Sequence, residues 1–251
     1  MKGRRILLFI CTVVFIYSSM NILAYFYEGY RNKKMHQELG ELFHTQEGQY
    51  EKVSGVEQED LSWDETNIAE KFIPILEINP EVVGWLIIPG TTIDYPVVQT
   101  DDNEYYLSHD INGKESKRGA IFMDYRNIPS GDDKNTILYG HNMRDGSMFK
   151  DITKFKDKNF FEENTTIWFY TLDKLTQWEV FSAYVTEAGF NYVRKDFQSD
   201  EDYLDFINTL KDKSMHKIEV DLNKDDKIIT LSTCSYEFDD ARFVVHARRV
   251  R

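Results

Sequence analysis

Residues 227–249, KIITLSTCSYEFDDARFVVHARR, leave little freedom in how this chain can fold. Ile228, Ile229 and Leu231, then Phe243, Val244 and Val245, make two short β-rich runs around the acidic, turn-prone SYEFDDA, the pattern of a hairpin of two buried strands. Cys234 closes the first run and Arg242 opens the second. With Phe238 at the midpoint of the loop the two residues face each other, and Cβ atoms paired across a sheet face lie roughly 4.5–5.5 Å apart. A thiol then stands beside a permanent cation. Cysteine attacks as the thiolate; its ordinary pKa is about 8.5, and a neighbouring positive charge favours ionisation. Arg242 is also a candidate to hold an oxygen that becomes negative when sulfur adds to a carbonyl, worth about 3 kcal/mol for one well-placed donor. The competing reading is a buried structural cysteine and a surface arginine, because free Cys is among the most buried residue types.

A cysteine nucleophile needs a partner that handles protons near neutral pH, and imidazole suits that task. The candidates are His36, His44, His109, His141, His216 and His246. His141 stands out in 135–143, NTILYGHNM, where a short apolar strand ends in a Gly-His-Asn loop. Rigid scaffolds commonly present catalytic groups at such strand ends. His246 is the competitor, on the same face of the second hairpin strand as Arg242. At roughly 3.3 Å per residue it lies about 13 Å along the strand from Arg242, too far for direct exchange with the thiol.

Together, 230–234 TLSTC followed by Arg242, the upstream Tyr139-Gly140-His141 and an apolar N-terminal segment resemble the sortase family, more narrowly its class B. The resemblance extends over 85–99, WLIIPGTTIDYPVVQ, and 119–126, GAIFMDYR, and covers the chain beyond about residue 65. It implies a mainly β fold: a closed eight-stranded barrel with an N-terminal helical lead-in and a long helix inserted before the last hairpin. It implies a catalytic set of Cys234, His141 and Arg242, with Ser232 and Thr233 lining the substrate groove and Tyr192 forming its wall; ordinary packing is the competing reading for these last three. It also implies the reaction. Cys234 attacks the backbone carbonyl of Thr in a C-terminal sorting motif of a secreted protein, His141 protonates the departing amine, and a peptidoglycan precursor or cross-bridge amine resolves the thioester, with no cofactor. A cysteine hydrolase that lets water resolve the thioester, and a non-catalytic binding or scaffold protein on the same barrel, are the alternatives.

The rest of the chain fits an exported enzyme. Residues 6–26 are predominantly apolar, broken only by Thr12, Ser18, Ser19 and Asn21, and as a helix span about 30 Å, the thickness of a bilayer core. No A-x-A-like exit follows, so the expectation is an uncleaved, single-pass anchor in the cell membrane. Lys2, Arg4 and Arg5 face Arg31, Lys33 and Lys34 across it, so charge barely sets orientation; the short N-terminus, 1–5, favours the cytoplasmic side. Residues 27–64 are polar with an acidic drift and read as a helical or flexible extracytoplasmic stalk, and 65–251 as the catalytic domain. At its start, Ile68, Phe72 and Ile75 have helical spacing, interrupted by Pro74. Strands are expected over 85–88, 92–98, 120–124, 136–139, 165–170 and 178–185, a short helix over 149–161, and a longer one over 200–213 carrying Tyr203, Phe206, Ile207 and Leu210.

Cys11 falls in the apolar segment, which leaves Cys234 without a partner in the exported part. No Cys/His spacing suits zinc, and the acidic pairs such as Asp132-Asp133 and Asp239-Asp240 match no EF-hand loop. A net charge of -13 argues against nucleic acid as a partner.

Overall fold

The computed structural model describes residues 2–54 and 68–250. Its strands in chain order are β1 (Val82–Ile87), β2 (Asp94–Val98), β3 (Ile121–Met123), β4 (Asn135–Tyr139), β5 (Thr166–Thr171), β6 (Leu175–Glu187), β7 (Ile228–Cys234) and β8 (Ala241–Arg249). They close into a barrel in the spatial order β1-β2-β3-β4-β7-β8-β6-β5. Closure removes every free sheet edge. Most neighbours are antiparallel, but β2 with β3 and β4 with β7 run parallel.

Alternation along the strands splits the apolar residues between two layers. Leu138, Ile229, Leu231, Phe243 and Val245 point into the barrel and join its packed interior. Ile228 and Val244, of opposite parity, point outward, where they pack with Tyr184, Tyr203, Phe206 and Leu210. The last three of those partners include the buried face of α4 (Asp200–Asp212), whose N-cap Ser199 accepts from the Asp202 N–H and whose first turn holds Asp200, Glu201 and Asp202. Acidic side chains there complement the positive end of the helix dipole. The barrel is thus filled inside and roofed on one outer face.

Two expectations change in detail. The helix expected over 149–161 is a 3-10 segment, Phe149–Lys156, followed by α3 (Lys158–Glu163). Asp157 between them takes an extended conformation, φ -76° and ψ 129°, so that its side chain can cap α3 at the Phe160 N–H. The lead-in helix, α2 (Ile68–Ile78), runs through Pro74 and buries Ile68, Phe72 and Ile75.

The apolar segment 6–26 lies within α1 (Lys2–Ser54), a helix long and apolar enough to cross a membrane. Ile6, Phe9, Phe15, Leu23 and Phe26 on it are all exposed. Of the expected stalk, 27–54 is part of this helix and 55–64 lies outside the described residues. The chain divides into two compact units, Met1–Leu39 and Gly40–Arg251. The expected boundary between stalk and catalytic domain, 64/65, lies outside the described residues. Within the second unit, Phe43 stacks on Trp85 at 4.3 Å and meets Phe72 and Tyr170 edge-on. Beside it, His44 Nε2 lies 2.9 Å from Asp94 Oδ2, whose other oxygen accepts from Trp85 Nε1.

Candidate active site

β7 stands between β4 and β8, and the ends of these three strands bring the candidate residues together. On one side β8 pairs antiparallel with β7 and sets Arg242 opposite Cys234, the register expected of the hairpin. On the other side β4 runs parallel to β7 and pairs Tyr139 with Ser232. That association continues past the ladder. The Gly140 N–H donates to the Ser232 carbonyl at 3.3 Å, Thr233 Oγ1 to the Gly140 carbonyl at 2.6 Å, and Asn142 Nδ2 to the Cys234 carbonyl at 2.8 Å. β4 ends at Tyr139, and the bonds of Gly140 and Asn142 to the end of β7 bring the segment that carries His141 alongside Cys234. Cys234 and Arg242 share the outward parity of Ile228 and Val244, so the site lies on the outer wall of the barrel, not in its lumen. All three residues are half-buried.

The backbone around His141 orients its ring. Nε2–H donates to the Leu107 carbonyl at 2.8 Å, and because a carbonyl only accepts, the neutral ring carries its hydrogen on Nε2 and its lone pair on Nδ1. Gly119, at φ 59°, lets the chain pass close by: a Cβ there would lie 2.3 Å from the Tyr106 carbonyl and 3.2 Å from His141 Cδ2. Arg242 Nη1 donates to the carbonyls of Asp240, 3.2 Å, and Ala241, 3.1 Å, which holds the guanidinium at the rim.

His246 has no such freedom. It is fully buried, within 2.9 Å of Tyr184 Oη through Nε2 and of Thr230 Oγ1 through Nδ1. Burial pushes its pKa down to about 3, so it is a neutral core residue at physiological pH.

The three residues expected to line a groove are enclosed. Ser232, Thr233 and Tyr192 are 3%, 2% and 5% exposed. Tyr192 Oη lies 2.9 Å from Ser232 Oγ, and Thr233 is committed to Gly140. Burial raises the Tyr192 pKa, and the hydroxyl lies within electrostatic reach of both Arg242 and Cys234. The three form a hydrogen-bonded layer beneath and beside the thiol.

The loop between β7 and β8 is pinned at both ends. Tyr236 Oη donates to the Asn142 carbonyl at 3.1 Å, and the Ser235 N–H to the Ala241 carbonyl at 2.8 Å. Lys156 donates to Glu237 and lies 5.0 Å from the centre of the Phe243 ring. Burial alone would raise the Glu237 carboxyl, but hydrogen bonds from Lys156 and Ser235 outweigh it and hold it at about 2. Asn142, Leu107 and Gly119 carry no signal of a role in the sequence. Leu107 acts through a carbonyl that any residue type supplies, Gly119 through a missing Cβ that matters only once the chain is folded, and Asn142 only adjoins the histidine.

Comparison with known proteins agrees with this geometry. The model of the sortase domain matches residues 86–250. Sortase B of Listeria monocytogenes is 35% identical over 241 residues, covering 94% of this chain and 92% of the relative. Sortase B of Staphylococcus aureus is 36% identical over 204 residues, covering 80% and 84%. A solved Staphylococcus aureus sortase B–substrate complex superimposes with a TM-score of 0.74 or better, at 0.77, with 32% identity over 89% of this chain and 98% of that one. The chain therefore belongs to the sortase family, and within it to class B, the cysteine transpeptidases that anchor proteins to the cell wall.

Proposed function

We propose that Cys234 is the nucleophile of this transpeptidase, His141 its acid and base, and Arg242 its oxyanion-binding cation. The observation that supports the reading is the side-by-side order β4-β7-β8: Arg242 pairs with Cys234 on one side, and on the other Tyr139, two residues before His141, pairs with Ser232. The Cys234 thiol gives its proton to the Nδ1 lone pair of His141, and the thiolate adds to the backbone carbonyl of Thr in a sorting motif, forming the C–S bond as the carbonyl oxygen becomes negative. Arg242, restrained through Nη1, directs its remaining donors at that oxygen. Collapse breaks the peptide bond, and the leaving amine takes a proton from His141 Nδ1, the ring position not committed to Leu107. A peptidoglycan amine then attacks the thioester, gives its proton to Nδ1, and leaves with the acyl group while sulfur departs as thiolate. Ser232 and Thr233 serve as the floor beneath the thiol, and Tyr192 as the wall of the donor groove beside it.

The uncovered apolar surface of 6–26 supports an anchor that keeps 1–5 in the cytoplasm and the catalytic unit outside the membrane. The clients are then secreted proteins that present the motif at the cell surface. An amine-transfer assay tests the chemistry: purified enzyme, a panel of Thr-containing pentapeptides, and glycine or diaminopimelate peptides as acceptors. A transfer product that disappears in Cys234→Ala is expected. Turnover retained by that variant, or hydrolysis without transfer, overturns the reading. Protease digestion of intact cells tests the topology, with only the catalytic unit cleaved.

A further inference from the structure

Behind the catalytic row, on the same outer face, runs a buried hydrogen-bond chain that the reaction itself does not use. Tyr184 Oη lies 2.9 Å from His246 Nε2, His246 Nδ1 2.9 Å from Thr230 Oγ1, and Thr230 Oγ1 2.6 Å from Asn135 Oδ1. Asn135 Nδ2 donates to the carbonyls of Tyr192, 3.2 Å, and Arg194, 2.8 Å.

The direction of every proton follows from the far end. Two carbonyls can only accept, so the Asn135 amide nitrogen faces them and its oxygen faces Thr230. That oxygen accepts, so the Thr230 hydroxyl spends its single hydrogen there. Thr230 Oγ1 must then accept from His246 Nδ1–H, which leaves Nε2 as the acceptor for the Tyr184 hydroxyl. Burial keeps the pattern unambiguous: it holds His246 neutral, with one hydrogen, and raises the Tyr184 pKa so that the hydroxyl stays protonated. Donors therefore run one way, from Tyr184 to the backbone at 192 and 194.

A second support meets the same segment. Arg126 Nη2 donates to the Val193 carbonyl at 3.2 Å, and the guanidinium is held by the fully buried Asp124, 2.8 Å from both Nε and Nη2. Three consecutive carbonyls, 192 to 194, are thus each taken by a side chain from the β3–β4 region. The consequence is at the site, because Tyr192 Oη meets Ser232, the residue two positions before Cys234 on the same strand face.

We propose that Asn135 is a positioning residue for transpeptidation: oriented by the one-way chain from Tyr184, it clamps segment 192–194 so that the Tyr192 ring stands as a fixed wall beside Cys234 for the acyl-donor peptide. This rests on the reading of Cys234 as nucleophile. Asn135 does not touch the reacting atoms; it acts through Tyr192. Disordering the wall weakens capture of the donor and leaves the chemistry at sulfur intact.

The test breaks the chain at its middle. Thr230→Val keeps the shape and removes both the acceptor for His246 and the donor to Asn135, whereas Thr230→Ser restores the hydroxyl. With the fluorogenic Thr-containing pentapeptide selected by the panel as donor, Thr230→Val raises KM roughly ten-fold with kcat within about two-fold. Alkylation of Cys234 by iodoacetamide is unchanged, and Thr230→Ser returns KM to the wild-type value. Combined with Tyr192→Phe, the valine adds less than it does alone, because both act on one wall. An unchanged KM, or full additivity with Tyr192→Phe, overturns the proposal. If Thr230→Val does not fold, Tyr184→Phe takes its place; it removes only the first donor, and a KM equal to wild type overturns the proposal equally. Cys234→Ala, run alongside, separates the two readings: activity surviving there removes the nucleophile assignment, while activity lost there with KM unmoved in the chain variants removes the clamp alone.

Discussion

His141 and His246 flank the same central strand, β7, and differ in what their surroundings have already used. His246, paired in register with Thr230, is fully buried and both ring nitrogens are occupied. His141, past the end of β4, is half-buried and commits Nε2 to the Leu107 carbonyl. The same contrast holds between Thr230 and Cys234 along β7: the hydroxyl of the first sits in a closed network, whereas the second is half-buried at the strand's end, its carbonyl accepting from Asn142. One end of the hairpin is built for order and the other keeps bonding capacity in reserve. Reactive groups belong where a sheet runs out, because there the ladder no longer demands that every polar atom be satisfied.

The sharpest way to break this contrast is to remove each imidazole. His141→Ala should lower kcat by about 10²–10⁴ and leave the urea midpoint near wild type, since a half-buried side chain is lost. His246→Phe should do the reverse. It strands the Tyr184 hydroxyl without an acceptor and Thr230 without a donor, each at about 1–3 kcal/mol, while kcat at saturating peptide persists. Equal effects from the two variants on rate, or a silent His141→Ala, would erase the distinction.

Arg242→Lys probes the open end next. It keeps the charge but loses the planar fork, and a fall of about 10²–10³ in kcat/KM is expected if the donors must be aimed, against little change if charge alone matters. A pH series then sharpens the closed end. The unfolded His246 takes a proton near its ordinary pKa of 6.5, the folded one only near 3. Stability from this group is therefore complete above about pH 6.5 and falls as pH drops toward 3, by up to about 1.4 kcal/mol per pH unit. Subtracting the His246→Phe stability curve from that of wild type should isolate this slope, and a flat difference would contradict a buried neutral ring. The smallest effect is expected from Asn142→Ala, which frees the Cys234 carbonyl: a loss of up to about ten-fold in kcat, the worth of one hydrogen bond, with slower thiol alkylation.

Several of these features are readable along the chain because they are local. Alternating apolar residues locate the strands, and the short acidic loop of SYEFDDA sets Cys234 against Arg242 without help from the rest of the fold. Strand rise alone separates His246 from the thiol. The place of Phe43 is harder to read. It lies in a polar stretch yet stacks on Trp85, where one aromatic buries as much apolar area as several small residues. Ser232, Thr233 and Tyr192 are another case: their hydrogen-bond partnerships, Tyr192 with Ser232 and Thr233 with Gly140, join residues far apart in sequence and are set only by the fold.

Periodicity and turn chemistry act over a few residues, so the chain itself dictates the hairpin, the helix faces and the facing of sulfur and guanidinium. The parallel meeting of β4 and β7 joins segments about ninety residues apart, as Asn142 and Cys234 do, and no local pattern encodes it. Barrel closure selects that pairing, because only a closed sheet satisfies the backbone of every strand at once; with it come the place of His141, the carbonyl that sets its tautomer, and the buried chain behind the wall.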